Sequence, residues 1–109
     1  MSYNKREEDI MNIDVRGVHY EISDKVKEHL DKKLEKLKHG ESVLNDVSLT
    51  IAKRHNDFVL EMGLHFKWGQ VDHLKVEDPD LYNAIDTMEE KAITKIRREK
   101  EKKIDSYHS

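Results

Sequence analysis

Met11, Ile13 and Val15 alternate with Asn12, Asp14 and Arg16, the period of two expected of a strand with one buried face. Gly17 ends that run. Val26, Leu30, Leu34 and Leu37 then recur at spacings of four, four and three, which predicts an amphipathic helix. Ser23 is its expected N-cap and His39-Gly40 its expected stop. Val47, Leu49 and Ile51 alternate with Ser48, Thr50 and Ala52, giving a second strand that a turn at Arg54-His55-Asn56-Asp57 closes. Phe58, Leu60, Met62, Leu64 and Phe66 form the apolar face of a third, with Glu61, His65 and Lys67 facing the other way. After a turn at Trp68-Gly69-Gln70, a fourth strand covers Val71 to Val76. Val71 is out of phase with Leu74 and Val76, so a bulge or a start at His73 is expected there. Asp78-Pro79 reads as an N-cap followed by proline at the first helical position. The helix it opens carries the stripe Leu81, Ile85, Met88, Ala92 and Ile96.

The element order is therefore β-α-β-β-β-α, an α+β fold. Its expected form is a four-stranded sheet with two roughly parallel helices packed on one face, because each helix has one apolar stripe to bury. The first β-α-β unit should cross over to make its strands parallel. One domain over residues 11–104 is expected, with residues 1–10 as a flexible leader and 105–109 as a short tail.

Composition narrows the function. Hydrophobic residues make up 36% of the 109 and charged residues 39%, which gives a modest core under a charged exterior. There is no cysteine, so a disulfide framework, a thiolate zinc site and a thiol nucleophile are all excluded. No apolar run approaches the ~20 residues of a membrane span. The seven histidines form no HxxxH or HExxH pair; His65 and His73 fall on neighbouring strands, but a metal site needs more ligands than two. No glycine-rich phosphate loop and no serine in a nucleophile elbow is present. The expectation is a protein without cofactor, metal, small-molecule substrate or catalytic residue. Trp68 and Tyr82 are the aromatics of interest. Trp68 is expected as a half-buried hairpin side chain and Tyr82 as a packed residue at the helix start.

Charge is distributed unevenly. Net charge is −3, yet residues 91 to 103 hold seven basic side chains and two acidic ones, so this segment carries +5 and the rest of the chain −8. At 100° per residue, Lys91, Lys95, Arg98 and Lys102 fall in one row beside the last helix's stripe. Lys25, His29, Lys32 and Lys36 repeat that row on the first helix, on the same rotational side, separate from the acidic row Asp24, Glu28, Asp31 and Glu35. Two helices running the same way would set these rows into one continuous cationic surface, which suits a phosphate backbone. Pairs such as Glu28-Lys32, and favourable placement near a helix C-terminus, are the competing reason for such charges.

The stretch Asp80-Leu81-Tyr82-Asn83-Ala84-Ile85-Asp86, leading into Lys91 and Arg97-Arg98-Glu99-Lys100-Glu101-Lys102, resembles the D-M-Y-A-A-I-D … D-K-L … R-K-x-K-x-K signature of bacterial ribosome hibernation factors. These are the hibernation-promoting factor and the ribosome-associated inhibitor (protein Y). Ile13-Asp14-Val15-Arg16-Gly17 is similar to the family's opening strand, and Lys33-Leu34-Glu35-Lys36-Leu37 to its K-L-x-K-L helix. The resemblance covers about residues 11 to 103 and is that of the short form, which lacks an additional dimerisation domain. It implies the same fold and a non-enzymatic function. Such proteins bind the small ribosomal subunit and its rRNA through basic residues of both helices. They occupy the mRNA/tRNA channel and so block translation, in the cytoplasm, in stress and stationary phase. The resemblance assigns RNA contact to Lys27, Lys33, Lys36, Lys91, Arg97, Arg98, Lys100 and Lys102; the row argument adds Lys25, Lys32 and Lys95. A free monomer is expected. Two other classes fit the pattern: a protein-interaction regulator working through the open sheet face, near Glu61 and His65, or through an acidic flank, and a general double-stranded-RNA-binding module, similar in its β-β-β-α order.

Overall fold

The computed structural model describes residues 2–7, 11–37 and 43–108, with side chains over 12–37 and 43–103. The chain runs β1 (Ser2–Glu7), β2 (Met11–Val18), α1 (Asp24–Glu35), β3 (Leu44–Arg54), β4 (Asp57–Phe66), β5 (Val71–Asp78) and α2 (Leu81–His108). From β2 onward this is the expected β-α-β-β-β-α order. The sheet has one strand more than expected, in the order β1-β2-β3-β4-β5. The leader expected over residues 1–10 is corrected accordingly, since Ser2–Glu7 pair antiparallel with Met11–Arg16. The expected tail is corrected too, because α2 continues through His108.

Strand β2 pairs parallel with β3, from Asn12↔Asp46 to Val18↔Ala52, so α1 is the crossover between them. β3, β4 and β5 are antiparallel neighbours. Both helices therefore run against the direction of β2 and parallel to each other. Ile13, Val15, Val47, Leu49, Ile51, Leu60, Met62 and Leu64 come from the sheet face beneath them and join the helical stripes in one core. Every stripe residue expected from the periodicity is buried, Val26, Leu30, Leu34 and Leu37 on the first helical segment and Leu81, Ile85, Met88, Ala92 and Ile96 on α2. Completing that burial removes each side chain from water at about 25 cal/mol per Å², the main force holding helices to sheet.

Local chemistry sets the boundaries. Ser23 caps α1 as expected, its Oγ accepting from the Val26 N–H at 3.3 Å. The helix ends at Glu35 with Lys36 as C-cap, and the expected stop at His39-Gly40 lies outside the described residues. The N-cap of α2 is Asp80, not Asp78. Asp80 Oδ1 accepts from the N–H groups of Tyr82 and Asn83 at 3.0 and 3.3 Å. α2 begins only at Leu81, and Asp78 instead folds the turn ahead of it. Its Oδ1 accepts from the Asp80 N–H at 2.8 Å and its Oδ2 from Asn83 Nδ2 at 2.6 Å. No bulge interrupts β5: the register with β4 is unbroken from Val71 to Asp78. Val71 lies on the open face, with 41% of its surface exposed, and the inward residues are Asp72, Leu74 and Val76. Glycine is required at position 17, where the chain folds back and a Cβ would run into the Tyr20 carbonyl oxygen.

Candidate nucleic-acid interface

The two basic rows do not merge. Because the helices are parallel and the rows lie on the same rotational side of each, the α1 row borders α2 while the α2 row points away from α1. Across the seam, His29 Nε2 donates to Asp86 Oδ1 at 2.8 Å. Lys33 Nζ lies 3.4 Å from the same oxygen and 4.0 Å from Glu89 Oε1, which Lys36 Nζ also approaches at 4.0 Å. An ionised carboxylate can only accept, so the Asp86 contact fixes the His29 proton on Nε2. Burial pushes Asp86 up, but hydrogen bonds from His29 and Lys33 outweigh it and hold the carboxyl below its ordinary value. The expectation of one continuous cationic surface is thus corrected: Lys33 and Lys36 meet counter-charges on α2 within the protein.

The α2 row overhangs β5. Lys91 Nζ donates to the Lys75 carbonyl at 3.3 Å. Lys95 Nζ lies 3.5 Å from Glu99 Oε1 and 4.0 Å from Asp72 Oδ2, and Lys102 Nζ donates to the same Glu99 oxygen at 3.4 Å. Glu99 is buried with 6% of its surface exposed, so two cations of the row converge on one desolvated carboxylate. A hydrogen bond from Gln70, with Lys102 and Lys95 close by, outweighs burial and holds Glu99 below the usual carboxylate range. Trp68 joins this cluster from the turn between β4 and β5. Its Nε1–H donates to Gln70 Oε1 at 3.1 Å, and Gln70 Nε2 donates to Asp72 Oδ1 at 2.9 Å. Its ring stacks on Phe66 at 4.9 Å and carries Lys103 Nζ at 5.1 Å, so it is the half-buried hairpin aromatic expected. Between α2 and β5 runs an open groove of about 390 Å³ lined by Leu74, Glu90, Lys91, Thr94, Lys95 and Arg98.

Arg97, Arg98 and Lys100 are exposed on α2, as are Lys25 and Lys32 on α1, and none of them forms an ion pair among the described residues. The Glu28-Lys32 pair is likewise absent. Lys27 is partly buried and has a partner of its own. The candidate set therefore divides into exposed cations without counter-charge and cations already compensated. Sequence reasoning missed the compensating acids Asp72, Asp86, Glu89 and Glu99. Helical angle carried a signal for three of them: Asp86 and Glu89 lie on the flank of α2 opposite its basic row, the flank that meets α1, and Glu99 falls in line with the apolar stripe, three residues after Ile96. No cluster of metal ligands occurs among the described residues, and no helix there is long and apolar enough to cross a membrane.

The family model described as sigma 54 modulation protein / S30EA ribosomal protein matches residues 13–104. No curated protein sequence matches significantly. Among solved structures, the fold is similar to that of a ribosomal subunit interface protein from Coxiella burnetii. The TM-score is 0.73 at 18% identity, over 81% of this chain and 96% of that one. It is also similar to the N-terminal domain of Thermus thermophilus Protein Y, with a TM-score of 0.67 at 24% identity, over 77% of this chain and 92% of that one. The family match spans β2 through most of α2 and takes in all eleven candidate basic residues, so the chain belongs to the sigma 54 modulation protein / S30EA ribosomal protein family, the hibernation-promoting factor and protein Y family that its sequence resembles.

Proposed function

We propose that this protein is a ribosome hibernation factor, binding the small ribosomal subunit and its rRNA through the basic faces of its helices. It blocks translation by filling the channel of mRNA and tRNA, in the cytoplasm, when growth slows. The observation that carries this reading is the exposed group Arg97, Arg98 and Lys100 on a long helix, without counter-charge, in a chain of the S30EA family. A helix holds such cations at fixed spacing, so ordering them on a phosphate backbone costs little additional entropy. Exposed cations release phosphate counterions on binding, whereas Lys33 and Lys95 would first have to leave Asp86 and Glu99. Inhibition by occlusion needs no bond made or broken.

Ribosome co-sedimentation tests the proposal. The R97E/R98E/K100E variant should bind at least tenfold more weakly than the parent and fail to inhibit translation in a purified system. Lys95→Gln should weaken binding far less. Unchanged co-sedimentation of the triple variant would count decisively against the reading. Equal affinity for ribosomes and for generic duplex RNA would replace it with a general RNA-binding module.

A further inference from the structure

Tyr82 packs at the start of α2 as expected, against His29, but remains partly exposed. It is 42% exposed, one of two large hydrophobic side chains so exposed among the described residues. Yet it is not loosely held. Its ring meets the His29 ring edge to face, with centroids 5.1 Å apart and planes at 82°. His29 is itself fixed by its 2.8 Å bond to Asp86, and Lys33 closes on the same carboxylate at 3.4 Å. A chain of three residues, Lys33, Asp86 and His29, thus orients one aromatic ring that the core does not use. The parallel packing of the helices sets the level: if His29 meets Asp86, Lys25 one turn earlier stands level with Tyr82. Lys25 and Lys32 are the exposed cations of α1 without an ion pair among the described residues. About 10 Å separates two positions seven residues apart on a helix, so the oriented ring lies beside a short run of unspent positive charge.

Phosphate alone would need only the lysines. An aromatic ring held in place beside them suits a ligand with both a phosphate and a π-face. We infer that Tyr82, oriented by His29 and Asp86, is a stacking site for an unpaired nucleobase, with Lys25 and Lys32 taking the flanking phosphates. The inference rests on the RNA-binding reading above and deepens it by naming the form of RNA. Bases within a duplex are already stacked on one another and their faces are closed to a side chain, whereas splayed single-stranded bases stack on aromatic residues. Trp68 does not offer the same opportunity, because Phe66 and Lys103 already contact its ring.

The test is binding of the full chain to a ten-nucleotide oligoadenylate and to the duplex it forms with oligouridylate. Tyr82→Ala should lose between about fivefold and a hundredfold in affinity for the single strand, the range of one base stack, and keep its affinity for the duplex. Tyr82→Phe, which keeps the ring, should bind as the parent does. Thermal melting of both variants controls for folding. Equal affinity of Tyr82→Ala and parent for the single strand overturns the inference, as does an equal loss for single strand and duplex. Weakened ribosome association with unchanged oligonucleotide binding overturns it too, assigning Tyr82 to a protein contact. If the R97E/R98E/K100E variant loses ribosome binding while Tyr82→Ala retains it along with oligonucleotide affinity, the inference fails and the proposed function stands.

Discussion

Two carboxylates, Asp86 and Glu99, hold Lys33, Lys95 and Lys102, three of the eleven basic side chains that a reading of charge alone would hand to a ligand. Each sits among cations and each has its pKa lowered below the ordinary values of 3.8 and 4.5. A depressed folded-state pKa means the folded protein holds the charged form more tightly than the unfolded chain does. These groups therefore contribute stability above their unfolded values, and the contribution is lost as pH falls through the folded ones. Chemical denaturation followed from pH 7 down to pH 2 should show stability falling below about pH 4.5. In Glu99→Gln that decline should be shallower than in the parent. An identical acid limb in parent and variant would remove Glu99 from this account.

At the scale of elements, α2 depends on how its first turn is closed. Four N–H groups at a helix start lack intrahelical partners, and Asp80 satisfies two of them through one carboxylate oxygen. Asp80→Ala should cost roughly 0.5–2 kcal/mol, the usual effect of losing an N-cap, measured by urea unfolding. The pair Asp78 and Asp80 also shows where sequence is informative and where it is not. Both acids flank Pro79, and pattern alone favours the acid directly before proline, although the chain uses the one after it. Ser23, three residues ahead of the first stripe residue Val26, was legible. So were the stripes of both helices and the alternation of β2, β3 and β4, because burial of one face imposes a period. β1 was not, since Ser-Tyr-Asn-Lys-Arg-Glu has no apolar alternation to read. In β5 the inward place at Asp72 is taken by a carboxylate serving Lys95 and Gln70, and that breaks the phase.

For the whole molecule, the deciding fact is helix packing, which no single helix's sequence encodes. Equal rotational placement of two basic rows looked like the recipe for one surface. Parallel packing puts one row in the seam and carries the other to the far edge. α2, at 28 residues and 1.5 Å per residue, is about 42 Å long. Its uncompensated cations Arg97, Arg98 and Lys100 fall within one turn of that length. Association with ribosomes should weaken linearly in log affinity against log salt. Arg98→Ala should reduce that slope by about 0.7–0.9, the value of one phosphate contact. Lys33→Ala should leave the slope nearly unchanged, because its charge is already compensated by Asp86. Equal slopes for parent and Arg98→Ala would remove Arg98 from the interface.

The ammonium of Lys91 on the Lys75 carbonyl, 3.3 Å away, has a consequence apart from RNA. β5 is an outermost strand of the sheet, and an outermost strand presents unpaired backbone groups on which another chain can template itself. Here one of those acceptors is occupied by a side chain from the helix above. A row of like charges, with Lys95 and Arg98, stands over the same border. A second copy adding its own strand there would have to displace an ammonium and bring another cationic helix alongside. Lys91 thereby guards the sheet against growing, strand by strand, into an aggregate.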